Sequence, residues 1–591
     1  MLKQTRYLIT TADERTWKFD RPVIFLGEWC RIYERRHVWK DMDAIVAAPY
    51  GLGQFKKDAD HAEARALEDK LFPVLCEVLN RYHDTQHGGR FWRIVLGSWL
   101  RRYVDVMLNR TRTLEECMKS YEISGTTAYK NEKYSLATYD SNAAIWAFSD
   151  DRWNDALTVR ILDLIKVTNC KVEFIEGCTS KGYQMSKSSN KQTLKSRILK
   201  WGRQQAASFL SYFSRDSDAF IINSYLPKIE EIKLQLTLGQ CPQQWEASKL
   251  EISEEPNREL RKSLSKYPTK NPFSLEDVVN VMVFELLPIC YLENFAHITD
   301  LVKQQAWPAR PKFIFTSINY DHDEVFKVWA ALKTEYGTKY IIGQHGAMYG
   351  SDRHWYHNRV EEQIADQFLT WGWVDALPQH TQTFVLTAAG KKTKGYNPEG
   401  GLLLIELYQS HRINTWDSIA EYCNYFDDQQ SFVQELASSP RQQLTIRLHA
   451  GYRNTRWDDE TRWGIYDPTL KIETGDLDIG NLVAQSRLVV HSYDSTGILE
   501  TLSLNIPTLA FWQNGIDHLR ESAKPYFQLL VDAGIVHLTP YSAAQKVNEI
   551  WNGVDVWWEQ NNVQSARKEF CDQYARVSKN HLHELKEILL R

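Results

Sequence analysis

Short apolar runs that end in polar or glycine-bearing turns, each followed by a helical pattern, recur through the second half of this chain. Lys312-Phe313-Ile314-Phe315-Thr316-Ser317, Tyr340-Ile341-Ile342-Gly343 and Gln367-Phe368-Leu369-Thr370 are three such runs. Leu402-Leu403-Leu404-Ile405, Leu444-Thr445-Ile446-Arg447-Leu448, Leu488-Val489-Val490 and Ile506-Pro507-Thr508-Leu509-Ala510-Phe511 are four more. An unbroken apolar run of about four to eight residues predicts a strand buried on both faces. Strands alternating with helices predict parallel, doubly wound α/β sheets.

At 591 residues the chain exceeds one hydrophobic core and should form two or three domains. Residues 1–395 read as an N-terminal Rossmann-like unit, with further strands at Pro22-Val23-Ile24-Phe25-Leu26-Gly27, Lys171-Val172-Glu173-Phe174-Ile175 and Ala219-Phe220-Ile221-Ile222. Residues 228–305 are a helical insertion, interrupted at Pro242, Pro256, Pro268 and Pro272. An amphipathic helix spans residues 61–80, with a kink or restart expected at Pro73. Residues 183–201, basic and serine-rich, read as a loop or helix-linked insertion. Gly390, Gly395, Gly400 and Gly401 bracket a linker to a second Rossmann-like unit, residues 396–555, and residues 556–591 form a charged tail of one helix or two.

A net charge of -4 leaves no electrostatic footprint for nucleic acid. The 21 Trp suit sugar-ring faces and large cores alike. Nine cysteines without paired spacing, and an N-terminus without an apolar signal core, predict a reduced, cytoplasmic chain. No apolar run approaches the ~18 residues of a membrane span. Residues 90–112 mix aromatics with arginine, a make-up that allows peripheral membrane contact; the spacing favours a helix packed on a core.

The turn after Val490 carries Ser492, Asp494, Ser495, Thr496 and Gly497, with Glu500 in the helix that follows. Hydroxyls and free amides at a helix start bind anions, and Glu500 can accept from sugar hydroxyls. The competing reading is an ordinary cap by Asp494 or Ser495. Residues 447–453, with Arg447, His449 and Arg453, end the neighbouring strand and offer a diphosphate or carboxylate site. In the first unit Gln344, His345 and Gly346, with Tyr349 beyond, follow a strand, at the edge where open α/β sheets bind ligands. His345 is a candidate base, as are the carboxylates Glu361, Glu362 and Asp366; surface carboxylates are the commoner explanation for the latter three. Asp321-His322-Asp323 has the spacing of a metal-binding acid pair, but helix capping explains it more simply, and neither a metal nor a cofactor is expected. No GxxxxGK[ST], strand-linked GxGxxG or GxSxG element is present, which argues against a P-loop kinase, a dehydrogenase and an α/β hydrolase.

Two doubly wound units facing a cleft resemble a GT-B glycosyltransferase. At the residue level the chain resembles a family of transferases encoded in bacterial O-antigen and other surface-polysaccharide loci. The motifs that carry this are Gly97-Ser98-Trp99-Leu100-Arg101-Arg102, Gln344-His345-Gly346 with Tyr349-Gly350, residues 366–373 (DQFLTWGW), Arg447-Leu448-His449 and residues 492–507. The last two are also similar to motifs of Kdo transferases and polyol-phosphate transferases of capsule assembly. That resemblance implies that Arg447, His449, Ser492, Ser495, Thr496 and Glu500 bind the nucleotide part of a donor, a CMP-linked acidic sugar being one candidate. Many capsule enzymes have Pro where this chain has Ala450. The expectation is a metal-independent glycosyltransferase moving a sugar from a nucleotide-sugar to a glycan or lipid-linked glycan in O-antigen or lipopolysaccharide biosynthesis, at most peripherally at the inner membrane face. A sugar-nucleotide epimerase, a polyol-phosphate transferase and a non-catalytic glycan-binding subunit stay open as alternatives.

Overall fold

The computed structural model describes residues 4–167, 170–177, 214–248, 250–252, 254–266, 272–354, 359–391, 395–416, 418–512 and 515–591. The serine-rich stretch at 183–201 lies outside the described residues. Three wholly parallel sheets organise the rest. The first holds β1 (Arg6–Ile9), β2 (Val23–Phe25), β3 (Ala44–Val46), β4 (Ile123–Tyr129) and β5 (Lys171–Ile175), in the order β3-β2-β1-β4-β5. The second holds β6 (Phe220–Ile222), β7 (Phe313–Thr316), β8 (Lys339–Gly343), β9 (Gln367–Thr370) and β10 (His380–Gln382), ordered β10-β9-β8-β7-β6. The third holds β11 (Gly401–Ile405), β12 (Leu444–Arg447), β13 (Lys471–Glu473), β14 (Ser486–His491), β15 (Thr508–Phe511) and β16 (Val536–His537), ordered β13-β12-β11-β14-β15-β16.

Residues 1–395, read from sequence as one unit, thus carry two sheets. Of the first, β2 and β5 coincide with expected strands; β4 carries no such signal because it is rich in hydroxyls rather than aliphatic side chains. Its threonines are buried by bonding to β1: Thr126 donates to the Leu8 carbonyl at 2.9 Å, and the Thr127 and Tyr7 hydroxyls lie 2.9 Å apart. Satisfied hydroxyls cost little to bury, so a strand of this kind leaves no apolar run behind.

The helix Gly89–Ser120 is buried on almost every face, packing on the helices Gln54–His83, Leu275–Leu286 and Glu324–Glu335. That burial gives residues 90–112 no face for a membrane, and the core reading holds. No described helix is long and apolar enough to cross one. Pro73 neither breaks nor restarts its helix, which runs unbroken over Gln54–His83. Pro73 and Asp69 both face solvent, so the carbonyl that proline leaves unbonded can be hydrated. The insertion at 228–305 is helical as expected, and the tail is two helices, Asn561–Tyr574 and His581–Leu590. The segment between those two returns to the second sheet: Arg576 donates its amide to the Trp371 carbonyl at 2.9 Å, and its carbonyl accepts from Val385 at 2.8 Å. Leu585, Ile588 and Leu589 of the last helix then share a core with Phe313 and Phe315.

Candidate functional site at the meeting of two sheets

The loop after β8 is held from below by one amide. Gln344 is buried and uses both ends of its side chain: Oε1 accepts from the Trp371 amide (2.9 Å) and the Trp373 indole (2.8 Å), while Nε2 donates to the Gly346 carbonyl (2.8 Å). Gln344 therefore shapes the loop and has little left for a ligand. Gly350, at φ +72°, lies so close to the Trp373 ring that a Cβ would sit 2.3 Å from it.

This frame presents His345 to a buried polar chain. The Tyr349 hydroxyl lies 3.2 Å from His345 Nδ1 and donates to the Glu361 carboxylate. Because Tyr349 gives its proton to Glu361, its oxygen is the acceptor for Nδ1–H. Nε2, 3.5 Å from the same hydroxyl, then carries the imidazole lone pair. Burial pushes the His345 pKa down to about 4, opposed by the nearby Asp321 carboxylate, so the ring is neutral at pH 7. Burial pushes Glu361 up to about 8, against the hydrogen bond from Tyr349. Tyr320 and Tyr225 complete the aromatic surround of the imidazole, with ring centroids at 6.3 and 5.9 Å.

The Gly97-containing motif positions this chain from behind. A Cβ at Gly97 would lie 2.6 Å from Val360 Cγ1, so glycine there lets the helix Val360–Ile364, which carries Glu361, approach the central helix. Five residues on, Arg102 forms a forked pair with Asp321 at 2.7 and 2.9 Å. Asp323 caps the helix Glu324–Glu335 by accepting from the Phe326 amide at 3.1 Å. The acid pair is thus a salt-bridge partner and a cap.

The third sheet reverses direction at β11, whose neighbours are β12 and β14. The turn after β14 leads into the helix Thr496–Ser503 at that switch point. Its N-cap residue Ser495 is in extended conformation, yet no side chain caps the helix. The Ser495 hydroxyl is buried without a hydrogen bond of good geometry, beside the Tyr493 hydroxyl. Asp494 turns instead to His518, 3.3 Å away. Neither Asp494 nor Ser495 thus caps the helix, whose first amides are left without a side-chain acceptor from the turn. The Ala347 amide, from the His345 loop, donates to the Thr496 hydroxyl at 3.0 Å, and Thr387 donates to Glu500 at 3.3 Å. The imidazole loop and the uncapped helix are in direct contact.

A family model described as the LIC12162 family transferase matches residues 6–589. The chain belongs to that family. A search of curated proteins finds no match. Among solved structures, MurG of Acinetobacter baumannii is similar at 12% identity and a TM-score of 0.35, over 63% of this chain and 99% of its own. The spinosyn rhamnosyltransferase SpnG, complexed with spinosyn aglycone, is similar at 11% identity and a TM-score of 0.27, over 50% of this chain and 77% of its own.

In this transferase several residues singled out from sequence lie elsewhere. Asp366 accepts from the Tyr340 amide at 2.7 Å and pairs with Arg90 at 2.8 Å. Both Tyr340 and Asp366 are at strand starts, so Asp366 braces the sheet edge opposite His345. Glu362 is buried toward His380 (3.6 Å) and Arg359 (3.9 Å), away from the Tyr349–Glu361 pair that faces His345. Arg447 is buried and committed to Glu473 at 2.6 Å, with its remaining donors on the Leu448 and Leu477 carbonyls. Glu473 in turn accepts from the Gly475, Asp476 and Leu477 amides at 3.1, 2.9 and 3.0 Å, so the pair closes a loop. Arg453 is 63% exposed, lies over Tyr452 and reaches only Glu460. Ser492 spends its hydroxyl on Tyr425 (2.5 Å) and the Ile405 carbonyl (2.9 Å). His449 stays exposed at the end of β12, beside Tyr408 at 4.6 Å between centroids. Sequence reasoning passed over Tyr320 and Tyr225, which carry no local pattern, and saw Arg102 and Asp321 only in separate motifs; tertiary packing alone pairs those two and brings them near His345.

Proposed function

We propose that this transferase moves a glycosyl group from a nucleotide-sugar to a hydroxyl of a glycan or lipid-linked glycan. The observation that carries the reading is the contact between Ala347 and Thr496, which sets a neutral imidazole against an uncapped helix start. His345 Nε2 takes the proton of the acceptor hydroxyl as its oxygen forms the new bond to the anomeric carbon. The bond from that carbon to the nucleotide's phosphate oxygen breaks, and the helix amides with the Ser495 hydroxyl hold the leaving phosphate. Glu500, tied to Thr387 across the cleft, accepts from donor hydroxyls. His449 forms the rim over β12. Arg447 and Arg453 have no part in this version of the site.

The donor lies over the third sheet, within a unit of residues 396–555, and the acceptor over the second. A CMP-linked acidic sugar as donor, and O-antigen or lipopolysaccharide assembly as setting, rest on the likeness of residues 447–449 and 492–507 to surface-polysaccharide enzymes. A lipid-linked acceptor would bring the protein to the inner membrane face. The test is thermal stability against CMP, CDP, UDP and GDP, with Ser495→Ala and Glu500→Ala alongside. One nucleotide should raise the melting temperature of the wild type, and both variants should lose most of that rise. A glycan ligand with no nucleotide response, or variants with undiminished nucleotide affinity, would overturn the reading.

A further inference from the structure

The first sheet has its own ligand-binding topology. Its strand order reverses at β1: β2 and β3 lie to one side, β4 and β5 to the other. In an open parallel sheet the crevice outside the carboxyl ends of the strands at such a point is where ligands bind. A cavity of about 420 Å³ occupies this place. It is lined by the loop after β1, by the segment after β2, by the start of the helix Asp151–Leu164, and by Arg412 and Arg456 of the third unit. Tyr129, the last residue of β4, donates to Asp13 of the lining at 3.0 Å. The guanidinium groups of Arg15 and Arg152 lie 5.5 and 5.4 Å from its ring centroid. Pockets of roughly 300–1,000 Å³ are the size that takes a small-molecule ligand.

Five guanidinium groups, Arg15, Arg35 and Arg152 from the first unit and Arg412 and Arg456 from the third, face four carboxylates in the lining, and Arg456 also pairs with Glu34. The carboxylates there are already occupied. Asp150 caps the helix through the Arg152 and Trp153 amides, both at 2.9 Å. Asp151 accepts from the Ala12 amide at 3.1 Å and pairs with Arg412 at 3.2 Å. Asp13 and Glu14 take forked bonds from Arg15 (2.8 and 2.5 Å) and Arg35 (2.7 and 2.8 Å). A guanidinium has five N–H donors and a carboxylate fork uses two, so each fork leaves three for another anion. The Arg15 and Arg35 side chains are 62% and 42% exposed, so they are able to turn toward one.

From this cavity we infer a second binding site, at the carboxyl edge of the first sheet, for a phosphate-bearing small molecule the size of a nucleotide or sugar phosphate. Its ligand bridges two units of the chain, Arg15, Arg35 and Arg152 on one side and Arg412 and Arg456 on the other. The site is separate from the helix start at Ser495 and does not rest on the glycosyl-transfer reading.

The test is calorimetric titration of the full chain with inorganic pyrophosphate, then with CMP and with glucose 1-phosphate. Wild type should show binding that Arg15→Ala and Arg35→Ala each weaken by about ten-fold, as expected for losing one charge-assisted contact. Because the helix start at Ser495 is a second place for such anions, the comparison is repeated in the Ser495→Ala background, where the pyrophosphate binding that remains should still fall about ten-fold on Arg15→Ala or Arg35→Ala. Of the two organic probes, the tighter one tells whether a nucleotide or a sugar phosphate is the occupant. Hydrogen exchange supplies a readout that needs no variant: pyrophosphate should protect both residues 10–17 and residues 410–413. Protection confined to residues 492–500, or affinity unmoved by either arginine substitution, would overturn the site.

Discussion

The Ala347 amide donates to the Thr496 hydroxyl at 3.0 Å, joining residues 149 positions apart, one in the loop after β8 and one at the helix start after β14. That single bond puts the His345 loop on the start of the helix Thr496–Ser503. Thr496→Val removes the acceptor and leaves the amide to find water. We expect a stability loss of about 1 kcal/mol by denaturant unfolding, the usual net worth of such a bond. Turnover should fall further than nucleotide affinity, because the two halves of the site lose their register. Equal losses in both would show that the contact serves only donor binding.

His345 has its pKa held near 4 by burial, well below the ordinary 6.5. A base needs to be neutral to accept a proton, so the acid limb of kcat/KM should lie near pH 4. An acid limb at pH 6–7 that vanishes in His345→Gln would mean an imidazole titrating as if exposed, and would sink its placement in the Tyr349–Glu361 chain.

Glu361 has a pKa raised to about 8 from 4.5 by burial. Between those values the unfolded chain has released a proton that the folded chain keeps, so stability is full below about pH 4.5 and declines as pH rises toward 8. Glu406, raised to about 8, and Asp155, raised to about 7, act in the same sense. The buried histidines, His345, His491 and His537 among them, are held low and act in the opposite sense up to about pH 6.5; melting temperature should therefore fall between pH 7 and pH 8.5, and Glu361→Gln should flatten part of that fall. A variant whose profile matches wild type across this range would show that Glu361 titrates normally.

Arg447 is a loop-closing residue, buried against Glu473. Arg447→Ala strands a buried carboxylate, and loss of one member of a buried pair costs on the order of 3–5 kcal/mol. Chemical denaturation should register that loss, while nucleotide affinity measured well below the melting point stays close to wild type. A large affinity loss in a folded protein would return Arg447 to the donor site.

Asp366 bonds to Tyr340 and Arg90 at the sheet edge opposite His345. Asp366→Asn should lower stability modestly, by about 1 kcal/mol, and leave kcat untouched. Glu361→Gln should lower kcat by disturbing the Tyr349 hydrogen bond that orients the imidazole. The two carboxylates lie five residues apart in sequence, and comparing the variants separates a bracing role from a positioning one.

The amino-acid sequence alone marked the central strands of the second and third sheets, though not β10, β13 or β16 at or near their edges. Unbroken apolar runs such as Phe313-Ile314-Phe315 and Leu488-Val489-Val490 have few places to go other than a strand covered on both faces. It also picked out the His345 loop and the turn at residues 492–500, because glycine and hydroxyl residues at strand ends are local signals. In the first sheet it marked β2 and β5 but not β4, which buries threonines by bonding them to β1, and such pairing is a property of two strands rather than one. Only the tertiary structure separated Glu361 from Glu362 and Asp366, or His449 from Arg447. Neighbouring side chains of one type are alike in sequence, and burial and partners, set by contacts hundreds of residues away, decide which of them meets the cleft.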